Sequence, residues 1–264
     1  QMLAEEEARP FDLAGGLPIR ASLLTLAPQH HVLVLTQHHI ASDGWSVGLL
    51  IAEISALYRA FAQGQEDPLP ALALQYADYA VWQKHRGEAG HAGALAFWKE
   101  ALSGVPALLE LPLDRPRAAR RSNAGAELSL LLPPSRVMAL RQLAQANGVT
   151  LFMVLLAGWS LLLARLSGQD DIVVGTPVAN RPRRELESLL GFFANTLALR
   201  IRLAPGMSVA ALLAAVRQTT LDAYSHQTLS LEEVVEAVNP PRNTAHTPLF
   251  QTTISLNNTP RDTL

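Results

Sequence analysis

"ASLLTL" (21–26) and "HVLVLT" (31–36) are short runs rich in β-branched and aliphatic residues, separated by "APQH". Two such runs with a short break between them predict an antiparallel pair of strands. From Trp45 onward the spacing changes. Val47, Leu50, Ile51, Ile54, Leu57, Tyr58 and Phe61 recur every three or four residues, which predicts an amphipathic helix. "HHIASDG" (38–44) is therefore a strand-to-helix connection.

Two further helical patterns cover 75–86 and 93–103, and the arginine-rich "LPLDRPRAARRSNAG" (111–125) has the composition of an exposed linker. Beyond it, "ELSLLL" (127–132) reads as a strand, Ser135 as the cap of a helix to about 146, and 150–166 as a buried helix. "DIVVG" (171–175) and "NTLALRIRL" (195–203) are strand-like on either side of the turn-rich "TPVANRPRRE". Helices follow at 208–224 and 231–238, the second opened by a Ser230–Glu233 capping box, and "LFQTTISL" (249–256) closes as a strand. This order predicts an α/β (α+β) fold of two lobes with mixed or antiparallel sheets flanked by helices, residues 1–118 forming the first and 119–264 the second.

Composition narrows the function. The chain has 264 residues, 49% of them hydrophobic, enough to bury a large core. Its 21 Lys+Arg against 23 Asp+Glu, a net charge of −2, give no electrostatic reason to expect a nucleic-acid partner. Zero cysteines exclude a disulfide framework, thiolate metal ligation and a cysteine nucleophile. "LFMVLLAGWSLLLA" (151–164) is shorter than the roughly 18 residues of a spanning helix, and the acidic opening lacks a secretory signal, so the expectation is a cytoplasmic protein with no membrane partner. An opening Gln, and an end just after a strand-like run, read as a piece of a longer polypeptide.

His38 and His39 stand where side chains enter clefts, and an imidazole exchanges protons near neutral pH. Asp43 is placed to fix the loop or pair with a cation, and Gly44 to allow a turn that a Cβ would obstruct. On residues alone the histidines read as a polar cluster, a catalytic group or, least well, a metal site, since a strand sends consecutive side chains to opposite faces.

The motifs together resemble a family. "HHIASDGWS" is similar to the HHxxxDG motif of condensation domains of nonribosomal peptide synthetases, within the chloramphenicol-acetyltransferase-like acyltransferases. "YADYAVW" (76–82) resembles the family's YxDxAVW and "LGFFANTLALR" (190–200) its GxFxNT. "SHQTLSLEEVVEAVNPPRNTAHTPLFQ" (225–251) resembles its HQxxPFE segment together with the Arg-rich, Pro-Leu-Phe-containing stretch after it. That last match departs from the pattern by lacking the usual Asp and Pro. The family's first two motifs are absent, which implies a domain incomplete at both ends, with a truncated first lobe and no activity in isolation.

The resemblance implies attack of an acceptor aminoacyl amine on a donor acyl or peptidyl thioester, both borne on phosphopantetheine arms of carrier proteins, with an adenylation domain as neighbour. No cofactor is bound directly and no metal is used. It assigns His39, Asp43 and Gly44 to the catalytic loop, with His38, Asn195 and Arg181 in support. Two alternatives stand beside it: a non-catalytic recruitment domain of the same fold, and a coenzyme A-dependent acyltransferase.

Overall fold

A short helix, α1 (Met2–Ala8), precedes an antiparallel hairpin of β1 (Ile19–Ala27) and β2 (His30–Gln37) in the computed structural model, which describes residues 2–85, 88–119, 124–241 and 243–257. Arg20 of β1 fastens the hairpin to the segment before it, meeting Glu6 at 2.5 Å and lying 3.9 Å over the Phe11 ring. Then come α2 (Gly44–Ala62), which starts where the Asp43 side chain caps its first turn, and α3 (Tyr76–Lys84), where Asp78 accepts from the Gln75 N–H at 2.8 Å. By length and composition alone α2 is apolar enough to cross a membrane, a property that core helices of soluble proteins share.

The remaining elements are α4 (Glu88–Ala101), α5 (Pro134–Ala146), α6 (Leu151–Ser167), β3 (Asp171–Val178), β4 (Asn195–Arg202), α7 (Val209–Ser225) and α8 (Leu231–Val238). β3 and β4 pair antiparallel, from Asp171 opposite Arg202 to Val178 opposite Asn195. Around them α6 packs on β3 and α7, while α7 and α8 pack on β4. Leu156, Ile172, Val174, Leu199 and Val216 are fully buried there, each contributing roughly 1.5–3 kcal/mol by leaving water. Thr150 caps α6 by accepting from the Met153 N–H at 3.2 Å, and Gly168 ends it at φ 71°, a conformation that costs a residue without Cβ little.

Among the described residues the chain divides into two compact units, 2–85 with 179–194, and 88–178 with 195–257. The β3–β4 connection thus belongs to the first unit although both strands belong to the second. A cut at 118 falls inside the second unit, because Trp98, Leu102 and Leu109 are buried in the same core as α6, β3 and β4.

Three local expectations are corrected. "ELSLLL" is not a strand: no described strand pairs with it, and Leu128 is 94% exposed. An alternating run becomes a strand only where a neighbour supplies the ladder. "LFQTTISL" makes a single parallel bridge, Gly175 with Thr253, in which the Gly175 N–H donates to Thr252 O and the Ile254 N–H to Gly175 O, both at 2.9 Å. Ser135 does not cap α5, which begins one residue earlier at Pro134, where a fixed φ and a missing N–H suit a first helical turn. Residues 120–123 of the expected linker, residue 86 of the expected helix 75–86 and the chain from 258 lie outside the described residues.

A Cβ on Gly175 would run into the Phe250 ring. Gly175→Ala should therefore lower stability by about 1–3 kcal/mol in urea unfolding, and Phe250→Leu in the same background should recover part of that loss.

Candidate functional site

The first unit contains the histidine loop. β2 ends at Gln37, the His38 N–H donates to Pro18 O at 2.8 Å, and a single 3-10 turn spans His39–Ala41. His38 folds over that turn, its Nδ1 accepting from the Ile40 N–H at 3.1 Å and its ring meeting Phe11 edge-on at 5.8 Å. His39 is exposed. Its Nδ1 lies 2.5 Å from Ser42 O. A carbonyl oxygen only accepts, so Nδ1 carries the proton of the neutral ring and Nε2 keeps its lone pair.

Asp43 is extended (φ −119°, ψ 178°) and its carboxylate is buried. Oδ1 accepts from the Ser46 N–H at 2.8 Å and from Arg181 Nη2 at 3.3 Å, and Oδ2 accepts from the Phe193 N–H at 3.0 Å. Both oxygens are committed to the scaffold, and neither hydrogen bonds to His39. Burial alone would raise this carboxyl, but the Ser46 and Phe193 amides and the Arg181 guanidinium outweigh it and hold it below the usual carboxylate range.

Arg181 has a side chain only 2% exposed. Its Nη1 donates to Leu186 O and, at 2.8 Å, to Leu189 O, its Nη2 also donates to Ser46 Oγ at 2.9 Å, and the guanidinium stacks 3.9 Å over the Phe193 ring. Arg181 is thus both the ion-pair partner of Asp43 and the hub of the 179–194 segment.

Several residues in this network carry no signal of their own in sequence. Ser46, 1% exposed, accepts from the Gly191 N–H at 3.0 Å and donates to Gly191 O at 2.8 Å. Trp45 Nε1 donates to Glu187 O at 2.9 Å, and the Tyr76 hydroxyl to Phe192 O at 2.8 Å. A Cβ on Gly191 would strike the Tyr76 ring. The Phe192 ring stands edge-on to His39, centroids 5.1 Å apart. Tyr76, Gly191 and Phe192 lie inside the motifs at 76–82 and 190–200, and Ser46 follows the capping Asp43 by three, the position whose N–H a cap accepts.

Gly44 requires a correction. It is the first residue of α2, it has no positive φ, and a Cβ there would meet nothing within 4 Å. The bend is made by the extended Asp43, not by freedom at Gly44.

Asn195 opens β4 in the second unit. Its Nδ2 donates to Gln227 O and Leu229 O, both at 2.7 Å, while Oδ1 accepts from the Thr196 N–H at 2.8 Å and the Leu231 N–H at 3.2 Å. With its donors and acceptor occupied, it pins the turn before α8. Among the described residues no three His, Asp or Glu side chains group as a metal site requires.

The chain matches the condensation domain family over residues 1–263 and belongs to it. Peptide-bond formation is the general function of that family, whose members are amide-forming acyltransferases. The chain is 48% identical to malpinin synthetase of Mortierella alpina over its whole length, which is 3% of that protein. Its fold matches a four-domain nonribosomal peptide synthetase bound to AMP and glycine at a TM-score of 0.86 and 29% identity, covering 97% of this chain and 19% of that one. The X-domain from teicoplanin biosynthesis, solved in complex with OxyB, matches at 0.86 and 28% identity, covering 96% and 57%.

Replacing Arg181 by Met should cost about 3–5 kcal/mol in urea unfolding, because it leaves a buried carboxylate uncompensated. The acid response carries the opposite test. A carboxyl depressed by folding contributes stability that is complete above its unfolded value near 4 and is lost as pH falls through its lower folded value. Below about pH 4 the wild type should therefore lose stability more steeply than Asp43→Asn; parallel curves would show an ordinary carboxyl.

Proposed function

We propose that this chain forms a peptide bond between a donor acyl or peptidyl thioester and an acceptor aminoacyl thioester, each presented on the phosphopantetheine arm of a carrier-protein domain. The observation that carries the reading is the His39 ring, exposed and with Nδ1 held by Ser42 O, so that the lone pair of Nε2 is available. The acceptor amine attacks the thioester carbonyl, the C–N bond forms, the tetrahedral intermediate expels the thiolate, and the amine proton ends on the departing sulfur. His39 Nε2 takes and relays that proton or holds the amine in line. Asp43 and Arg181 keep the loop in shape, and His38 closes its first turn.

The phosphopantetheine arms are part of the substrates rather than a resident cofactor. An adenylation domain is the natural neighbour, since it supplies the aminoacyl groups that the acceptor carrier bears. The absence of cysteine and the near-neutral charge support a cytoplasmic setting without nucleic-acid or membrane partners. Asn195, in the second unit, fixes the turn before α8.

A second reading, a recruitment domain without chemistry, is favoured by the likeness to the teicoplanin X-domain, which was solved in complex with another protein. The two separate on one variant. In the full-length protein with donor and acceptor carriers loaded, His39→Ala should lower amide formation at least about 100-fold by mass spectrometry, with an unchanged melting curve because the ring is exposed. Undiminished product would remove His39 from the chemistry, and no product from the wild type would favour recruitment.

A further inference from the structure

The GxFxNT pattern leaves its second position open, and in this chain Phe192 fills it. Phe192 and its two neighbours are each held through the backbone. Gly191 exchanges two hydrogen bonds with Ser46, the Phe192 carbonyl accepts from the Tyr76 hydroxyl at 2.8 Å, and the Phe193 N–H reaches Asp43 at 3.0 Å. The Phe193 ring goes into the core, 4.6 Å from Tyr79 and 5.1 Å from Tyr76. The Phe192 ring does not. It is 39% exposed and stands edge-to-face with His39 at an interplanar angle of 81°.

Burial does not account for an exposed phenyl ring on so rigid a backbone, whereas its neighbour does. Edge-to-face aromatic pairs are attractive and depend on orientation, so the contact favours one setting of the His39 ring. That is the setting in which Nδ1 meets Ser42 O and Nε2 is left free. We infer that Phe192 is a positioning residue for His39, and that Tyr76 of the YxDxAVW motif acts through it by clamping the Phe192 carbonyl. Orientation secured before substrate arrives lowers the cost of reaching the reactive geometry. Burial, with a smaller contribution from Asp43, pushes the Tyr76 hydroxyl up, so it remains a donor at neutral and mildly alkaline pH. The inference rests on the reading of His39 as the group that acts on the amine.

The test uses the full-length protein with loaded carriers. Phe192→Ala should lower kcat about 3–10-fold with KM for both carriers unchanged, and Phe192→Tyr, which keeps the ring, should restore it. Tyr76→Phe keeps the ring against Gly191 but loses the hydroxyl. It should lower kcat in the wild-type background and add nothing to Phe192→Ala. A rise in KM at constant kcat would make Phe192 part of the substrate wall, and additive losses would cut Tyr76 out; either overturns the inference. A readout independent of activity is the rate at which diethyl pyrocarbonate modifies His39, followed by peptide mass spectrometry. It should rise in Phe192→Ala while His38 reacts as before, and an unchanged His39 rate would mean that the ring contact does not hold the imidazole. This measurement judges the contact even if His39→Ala retains activity, so failure of the functional reading and failure of the inference are distinguishable.

Discussion

The carboxylate of Asp43 is the constraint on which the histidine loop depends. Removed from water, an ionised group must be met on every side or it becomes neutral. The cap position of α2 supplies one donor by local geometry, but the Phe193 amide and Arg181 come from 138 to 150 residues further along the chain. Satisfying one side chain therefore fixes a helix start and a distant connection at once. Ser46 and Trp45 extend the same stitching to Gly191 and Glu187.

The rigidity serves a ring that is not itself buried. His39 is held by Ser42, the residue next to Asp43, and touched by Phe192, the residue next to Phe193. Every neighbour that orients the imidazole is thus one residue away from an atom of the buried network. The site separates two tasks that one side chain performs poorly together: Asp43 carries the electrostatic order and makes no chemical contact, while His39 remains open to solvent. Under the proposed function, such a division keeps the imidazole accessible without leaving its direction to chance.

Helices and the histidine motif are legible in sequence because they are written locally. The apolar spacing from Val47 to Phe61 sets α2, and Ser230 and Glu233 mark the start of α8 by their chemistry alone. "ELSLLL" and "LFQTTISL" mislead because strand pairing depends on a partner that alternation does not name. Arg181 is named through the resemblance, but composition alone does not single it out: within "NRPRR" it reads as part of a solvated turn, and the fold separates it from Arg183 and Arg184, which stay exposed. The conformational role expected of Gly44 belongs to its neighbour. Phe192 and Tyr76 lie inside recognised motifs, yet nothing in the motif spelling says that one touches His39 and the other holds it there.

The placement of residues 179–194 in the first unit, between two strands of the second, has a consequence for the birth of the protein. A ribosome adds about 5–20 residues each second, so the Phe193 amide leaves it about 8–30 s after Asp43, from which it is separated by 150 residues. During that interval the carboxylate has its local cap donor, the Ser46 N–H, but lacks the Phe193 amide that meets its other oxygen. The buried network behind His39 is thus complete only once β3 and the segment after it have been made, and that segment leads straight into β4, the strand that completes the second unit's hairpin.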